Sequence, residues 1–377
     1  MGTECSICGR AEVITSSLGI CLDCIRDRRE EALPYISEAH AEARRGYPLP
    51  EEPPRSSEGV ECGLCSNQCR MGEGDNGYCG LRWNHDGIKS RVSSERGLLR
   101  AYRDPHPTNC CSAWFCPACT EAGYPEHTHS RGVEHGYMNL AIFLYGCNFD
   151  CLYCQNAGHK RFQNVKPTSL DSLLDRIEAD ERITCICFFG GSPEPQLPYT
   201  LRLSEEALDR AGDRILRICY EWNGCGDPGL VKRAGELSLR SGGNIKFDLK
   251  AYNPTLSQAL SGVSNRRAYE NFRMLAEELY HDRPGSPLLT ATTLLVPGYV
   301  DALEVEGIAR FIADLDPGIP YSLLLFHPDH LMMDLPTTSL RQAGECYRAA
   351  SDHLDRVHVG NLHLLGLRSM EDFTERM

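Results

Sequence analysis

No stretch of this chain stays apolar for the roughly 18 residues that a membrane-spanning helix needs. Its opening residues, MGTECSICGR, hold no apolar core of a secretory signal. Both absences lead us to expect a cytoplasmic protein with no membrane partner. Positive charge is also scarce. Lys and Arg number 39 against 52 Asp and Glu, a formal net charge of −13. A duplex nucleic-acid binder usually carries a basic field, so that reading starts weak and no nucleic-acid partner is expected. There is no internal repeat, and no low-complexity tract beyond one short proline-rich stretch. With 41% hydrophobic and 24% charged residues, global disorder is excluded. A length of 377 residues suits one large domain with an appendage.

What the chain has in excess is cysteine, 20 residues in all. A secreted disulfide protein would scatter them. Here 15 of the 20 fall in four tight groups before residue 155: Cys5, Cys8, Cys21 and Cys24; Cys62, Cys65, Cys69 and Cys79; Cys110, Cys111, Cys116 and Cys119; Cys147, Cys151 and Cys154. Cysteines two or three residues apart bridge to each other poorly but converge well on a metal. The pattern is that of a reduced metalloprotein. The other five, Cys185, Cys187, Cys219, Cys225 and Cys346, lie in apolar or helical contexts and read as small buried hydrophobes.

Residues 1–47 read as a zinc-ribbon-like cysteine knot followed by a charged helix. In 48–58, PLPEEPPRSSE, four prolines in eleven residues forbid a helix and predict an extended linker. Residues 59–135 are rich in Cys, Gly and Pro, which predicts loops held by metal. From 136 to 335 short apolar runs alternate with amphipathic stretches. The runs are 139–146, 183–190, 214–222, 244–251, 288–296 and 320–326, and VHVGN at 357–361 offers one more strand in a C-terminal segment, 336–377, that also holds a helix. Near-continuous apolar strands separated by helices indicate an α/β fold with a parallel sheet. Six such units make a partial (β/α)6-type TIM barrel.

The first barrel strand ends in LYGCNFDCLYCQNAGHK, where Cys147, Cys151 and Cys154 have the spacing C-x3-C-x2-C. Three thiolates on a tight loop hold three irons of a 4Fe-4S cluster and leave the fourth open for chemistry. The alternative is a three-Cys zinc site with His159 as fourth ligand. At later strand ends stand FFGGSPEPQ with Gly190, Gly191 and Ser192, YEWNG with Glu221 and Asn223, KFDLKAYN with Asp248 and Lys250, and LLLFHP with His327. Gly-Pro and Asn-Gly are also ordinary turn signals. Asp248 and Lys250 alternate with Phe247 and Leu249, which points both charges into the barrel; a mutual ion pair is the plainer reading of them. His327 reads equally as a half-buried surface residue.

These residues together resemble the radical SAM superfamily, and within it the pyruvate formate-lyase activating enzymes and the AmmeMemoRadiSam-type proteins. Tyr153 matches the aromatic position of the family's cluster loop. The resemblance implies a 4Fe-4S cluster and S-adenosyl-L-methionine (SAM) as cofactors. It implies reductive cleavage of SAM to a 5′-deoxyadenosyl radical that abstracts hydrogen from a substrate. Gly190 and Gly191 would meet the SAM amino group, with Ser192 standing where the family carries an acid and Glu194 two residues on. Glu221 and Asn223 would face ribose or substrate, Lys250 would bind the SAM carboxylate, and His327 would stand at the barrel mouth. Cys62, Cys65, Cys69 and Cys79 with Arg82 resemble the segment ahead of the barrel in AmmeMemoRadiSam-type proteins, and zinc, iron or an auxiliary cluster would satisfy them. Cys5, Cys8, Cys21 and Cys24, two knuckles twelve residues apart, predict a structural zinc or iron outside the family pattern that takes no part in turnover. Cys116 and Cys119 form a further knuckle that Cys110 or Cys111 would complete. An activase of a glycyl-radical protein is the leading expectation, with a protein substrate and an external one-electron donor such as ferredoxin or flavodoxin. A maturase or methylase acting on a protein or peptide side chain is the second reading, and a non-catalytic metal-binding scaffold the third.

Overall fold

The computed structural model of the chain describes residues 3–108 and 110–377. One eight-stranded sheet organises it: β1 (Leu99–Pro105), β2 (Met138–Leu144), β3 (Ile183–Gly190), β4 (Arg217–Trp222), β5 (Ile245–Asp248), β6 (Leu289–Leu295), β7 (Tyr321–Leu325) and β8 (Val357–Gly360). Neighbours in the sheet are neighbours in sequence, from β1 at one edge to β8 at the other. Strands β2 to β8 are parallel, and β1 runs antiparallel to β2. Each parallel step is made through helix, so the sheet always winds the same way and curls into a partial barrel with two free edges. The strands form because their runs bury on both faces: the first six residues of β3 and six of the seven in β6 are buried.

Helices cover the outside: α3 (Leu170–Glu178), α4 (Leu197–Ala211), α5 (Pro228–Ser241), α6 (Pro254–Ser261), α7 (Arg266–Leu279), α8 (Ala302–Ala313) and α9 (Leu340–Ser351) follow two more, α1 (Leu22–Asp27) and α2 (Arg29–Arg45). Their starts are written in sequence. Asp227 before Pro228 and Asn253 before Pro254 each turn a side-chain oxygen onto the first free N–H groups. Among the described residues no helix is long and apolar enough to cross a membrane.

Strand β1 lies in the segment expected to be loops. Only Leu99 of its seven residues is buried. Arg100 and Arg103 stand on an exposed edge, where charge discourages pairing with other chains and erases the apolar signature of a strand.

The N-terminal knot is seated on the barrel. The Thr15 N–H donates to Tyr299 Oη (3.1 Å), and Tyr299 Oη donates to the Ile20 carbonyl (3.2 Å). Arg26 forks onto Asp301 and Glu304 at the start of α8. Helix α2 continues through Pro34, whose ring faces solvent, and buries Ala32, Ile36, Ala39, His40, Ala43 and Arg44 along one side. The proline-rich stretch is tied down as well. Its Pro54 carbonyl accepts from Arg70 N (2.9 Å), and its Ser56 N donates to the Arg70 carbonyl (3.0 Å).

Candidate functional site

Strand β2 leaves the sheet through Gly146 into the loop of Cys147, Cys151 and Cys154. The loop is pinned from below by α6: Asp150 N donates to the Ser261 carbonyl (2.9 Å) and Leu152 N to the Leu260 carbonyl (3.0 Å). Asp150 is wholly buried and draws in three basic side chains. His40 Nδ1 lies 3.0 Å from one carboxylate oxygen, and Arg44 Nη1 (3.3 Å) and Lys160 Nζ (2.6 Å) reach the other. Burial works against the Asp150 charge, but the His40 hydrogen bond and the Lys160 and Arg44 charges prevail. They hold its carboxyl below the usual carboxylate range. His40 and Arg44, four residues apart on α2, are one helical turn apart on one face.

The next two strand ends meet the loop through side-chain amides. Asn223 Nδ2 donates to Asn148 Oδ1 (2.7 Å) and to Ser192 Oγ (2.9 Å). Asn67 Nδ2 donates to the Asn148 carbonyl (2.7 Å), joining the second cysteine group to the same point. Gly190 has φ of +115°, and a Cβ on Gly191 would lie 2.2 Å from the Gly146 carbonyl oxygen. Main chain therefore comes closer here than any side chain permits.

These elements enclose a cavity of about 190 Å3 lined by the three thiols, Tyr153, Gly190, Gly191, Ser192, Glu221, Asn223, Asp248 and Lys250. Lys250 is paired with Asp248, and its ammonium lies 5.6 Å from the centre of the Tyr153 ring. Burial disfavours the lysine charge, yet Asp248 raises Lys250 well above its ordinary value. Burial pushes up all three thiols, Cys154 to about 12. Only a bound cation makes such thiols thiolates at neutral pH.

The thiol groups differ in spacing. A tetrahedral ion with metal–sulfur bonds of ~2.3 Å needs sulfurs about 3.8 Å apart. In the knot Cys5 and Cys24 are 3.8 Å apart and Cys8 and Cys21 3.7 Å. Among the described residues this is the only group of three or more donors within 4.8 Å of one another. The cluster-loop thiols do not meet that spacing, with or without His159, so they do not form a single-ion site. Three spread thiols around an open cavity fit a 4Fe-4S cluster, in which each takes its own iron. Cys62, Cys65, Cys69 and Cys79 line a small cavity of about 20 Å3 beside Arg82 and Asn148, directly behind the cluster loop. Cys110, Cys111, Cys116 and Cys119 line a separate cavity inside the barrel.

Glu221 lines the cavity half-exposed and accepts from Lys246 Nζ (2.6 Å); two other residues named from sequence do not face it. Glu194 points inward, where it accepts from Gly224 N (2.7 Å), and burial lifts its carboxyl to about 7. His327 lies outside the cavity wall, half-buried, with Nδ1 3.2 Å from the Pro328 carbonyl oxygen. Sequence reading missed Asp150, His40, Arg44, Lys160 and Asn148. Asp150 carried a signal, a carboxylate inside a cysteine loop among apolar residues. Of its partners, His40 and Arg44 lie about a hundred residues away and carried none, and Lys160, close in sequence, sits in an ordinary polar stretch.

Residues 141–312 match the model of the radical SAM superfamily. An uncharacterised protein of Methanocaldococcus jannaschii is 23% identical over 310 residues, 80% of this chain and 81% of its own length. The isethionate sulfite-lyase activating enzyme of Desulfovibrio desulfuricans is 34% identical over 140 residues, 37% of this chain and 40% of that protein. Its counterpart in Nitratidesulfovibrio vulgaris is 28% identical over 165 residues, 42% of this chain and 49% of its own length. The chain thus spans less than half of either activating enzyme. A solved domain of pyruvate-formate lyase-activating enzyme from Bacteroides vulgatus superposes with a TM-score of 0.36 at 21% identity, over 46% of this chain and 98% of that one.

Proposed function

Residues 141–312 are a radical SAM domain, and from that premise we propose that this enzyme generates a radical on a protein substrate, in the manner of a glycyl-radical activase. Its cofactors are a 4Fe-4S cluster and SAM. When bound, they supply one-electron cleavage of SAM to a 5′-deoxyadenosyl radical. The observation that carries the reading is the cavity at the strand ends. It unites three buried thiols, a main-chain wall at Gly190 and Gly191, and the buried ammonium of Lys250.

Each residue then has a task. Cys147, Cys151 and Cys154 hold the cluster. Lys250 binds the SAM carboxylate, and Asp248 orients it through their ion pair. The glycines allow main chain to meet the SAM amino group. Asn148, Ser192 and Asn223 hold three loops in register. The substrate class rests on the activating enzymes among the relatives. An external one-electron donor of the ferredoxin or flavodoxin type supplies the electron. The free thiols, all 20 unpaired, suit the cytoplasm.

Anaerobic reconstitution tests the proposal. Replacing Cys147, Cys151 and Cys154 with Ala should lower iron by about four per chain and abolish 5′-deoxyadenosine formation. Unchanged cleavage in that variant would refute the site. Deuterium should reach 5′-deoxyadenosine from a deuterated protein fraction of the host; transfer from the small-molecule fraction alone would refute a protein substrate.

A further inference from the structure

A second space of about 540 Å3 lies inside the barrel and shares Phe189, Glu221, Lys246 and Leu324 with the cluster-loop cavity. Thiols reach it from two distant parts of the chain. Cys110, Cys111, Cys116 and Cys119 come from the loop between β1 and β2. Cys185 and Cys187 come from β3, and Cys219 from β4. These last three were expected to be plain core residues, but strand register sets them in the cavity wall. Alternate residues of β3 share a face, and pairing with β4 places Cys187 beside Cys219 and Cys185 beside Arg217. Cys116 packs on Cys185, with Cys119 against them, and Cys185 meets Cys219. Cys225 and Cys346, by contrast, are buried away from this space.

Two further features mark the space as a binding site. His106 lines it at 5% exposure, its ring set between Cys185 and Glu134, with Nδ1 3.4 Å from a Glu134 carboxylate oxygen. Two buried cations also stand against sulfur. Arg217, which also pairs with Glu134, donates Nε to Cys185 Sγ (3.0 Å), and Lys246, which also pairs with Glu221, donates Nζ to Cys110 Sγ (3.1 Å). Imidazole and thiolate together are the donor set of a transition metal. No three of these donors lie within 4.8 Å of one another, so the set is too wide for one ion. A cluster, whose separate irons reach separate ligands, fits that spread.

We propose that this space holds a second iron–sulfur cluster, anchored by Cys116, Cys119 and Cys185 and completed by Cys219 or His106. The assignment does not depend on the radical chemistry proposed above. Anaerobically prepared full-length protein, reconstituted with ferrous iron and sulfide, should be crystallised and measured on both sides of the iron and zinc absorption edges. The expected result is an iron peak bonded to Cys116, Cys119 and Cys185, in addition to the peak at Cys147, Cys151 and Cys154. In solution, Cys116→Ser/Cys119→Ser and Cys185→Ala/Cys219→Ala should each lose about two to four irons with matching sulfide, while Cys346→Ala keeps the wild-type count. A cavity without metal beside an occupied cluster loop would overturn the proposal. So would a peak at the zinc edge alone, or iron counts equal in all variants.

Discussion

The N-terminal knot and the cluster loop are both short cysteine segments, and they solve opposite problems. In the knot two knuckles face each other and Cys21 N donates to Cys5 Sγ (3.3 Å), so four sulfurs stand at the spacing of one tetrahedral ion. In the cluster loop the thiols fan out around a cavity and leave one side open. The knot packs Ile14, Leu18, Ile20 and Ile25 into the main core and brings its own four thiols to a point; the loop is shaped by the protein around it. That scaffold includes the knot's own extension, because α2 carries His40 and Arg44 to Asp150 between the cluster cysteines. The region predicted to be a bystander is thus a structural neighbour of the reaction centre.

The largest effect should come from breaking the knot. Cys21→Ser/Cys24→Ser removes a metal whose binding supplies ~10 kcal/mol or more of folding free energy in comparable small sites. If the two regions were independent, metal analysis would show one ion lost per chain. The contact through α2 predicts about five lost, one from the knot and about four as iron from the loop. In the reverse experiment, Cys151→Ala should lose the irons and keep the knot ion. Loss of a single ion in the knot variant would separate the two regions.

Asp150→Asn attacks the joint itself. It keeps the shape and leaves His40, Arg44 and Lys160 buried around a neutral amide. Breaking a buried pair in this way costs about 3–5 kcal/mol, so the variant should melt earlier and retain less iron. The pH dependence has a definite sign. Asp150 is held below its ordinary range, so its contribution is present above about pH 4, the unfolded value, and fades as pH falls below it. The acid side of the stability profile should be flatter in Asp150→Asn. A wild-type slope there would deny the carboxylate this role.

Much of this was legible in the sequence. Six of the seven parallel strands showed as apolar runs because most of their residues are buried, the half-buried β8 showed only as the short VHVGN, and the cluster loop showed in its spacing. Strand β1 did not, because an exposed charged edge reads like loop. The inward face of Cys185, Cys187 and Cys219 did not, because apolar strands hide which face lines a cavity. The Asp150 cluster did not, because His40 and Arg44 on α2 reach Asp150 only through tertiary packing. Ser192, which stands where the family carries an acid, is a hydrogen-bond acceptor for Asn223.

Lys250→Met probes the open side of the loop, which has no counterpart in the knot. It keeps the stem and removes a charge-assisted bond worth roughly 1.5–3 kcal/mol. SAM should bind about ten- to a hundredfold more weakly, with iron content unchanged. The rival is a purely structural pair with Asp248, which predicts a lower melting temperature and unaltered affinity. Titration of SAM into cluster-loaded protein, with thermal melts, separates them.

The smallest effect is expected at Ser192. Its hydroxyl oxygen accepts from Asn223 Nδ2 (2.9 Å) and from Asn223 N (3.3 Å), tying the end of β3 to the end of β4. Ser192→Ala removes that acceptor, but Asn223 keeps its bond to Asn148 (2.7 Å). One neutral hydrogen bond among others is worth about 0.5–1.5 kcal/mol, so melting should fall by only about 1–2 °C in a chain of this length. Iron content should hold, since Asn148 still anchors the loop. SAM affinity decides the side chain's role. If Ser192 serves only to hold Asn223, affinity should change less than about fivefold, because less than about 1 kcal/mol reaches the site. A loss of tenfold or more at unchanged stability would make Ser192 a direct contact of SAM, standing in for the acid that the family carries there.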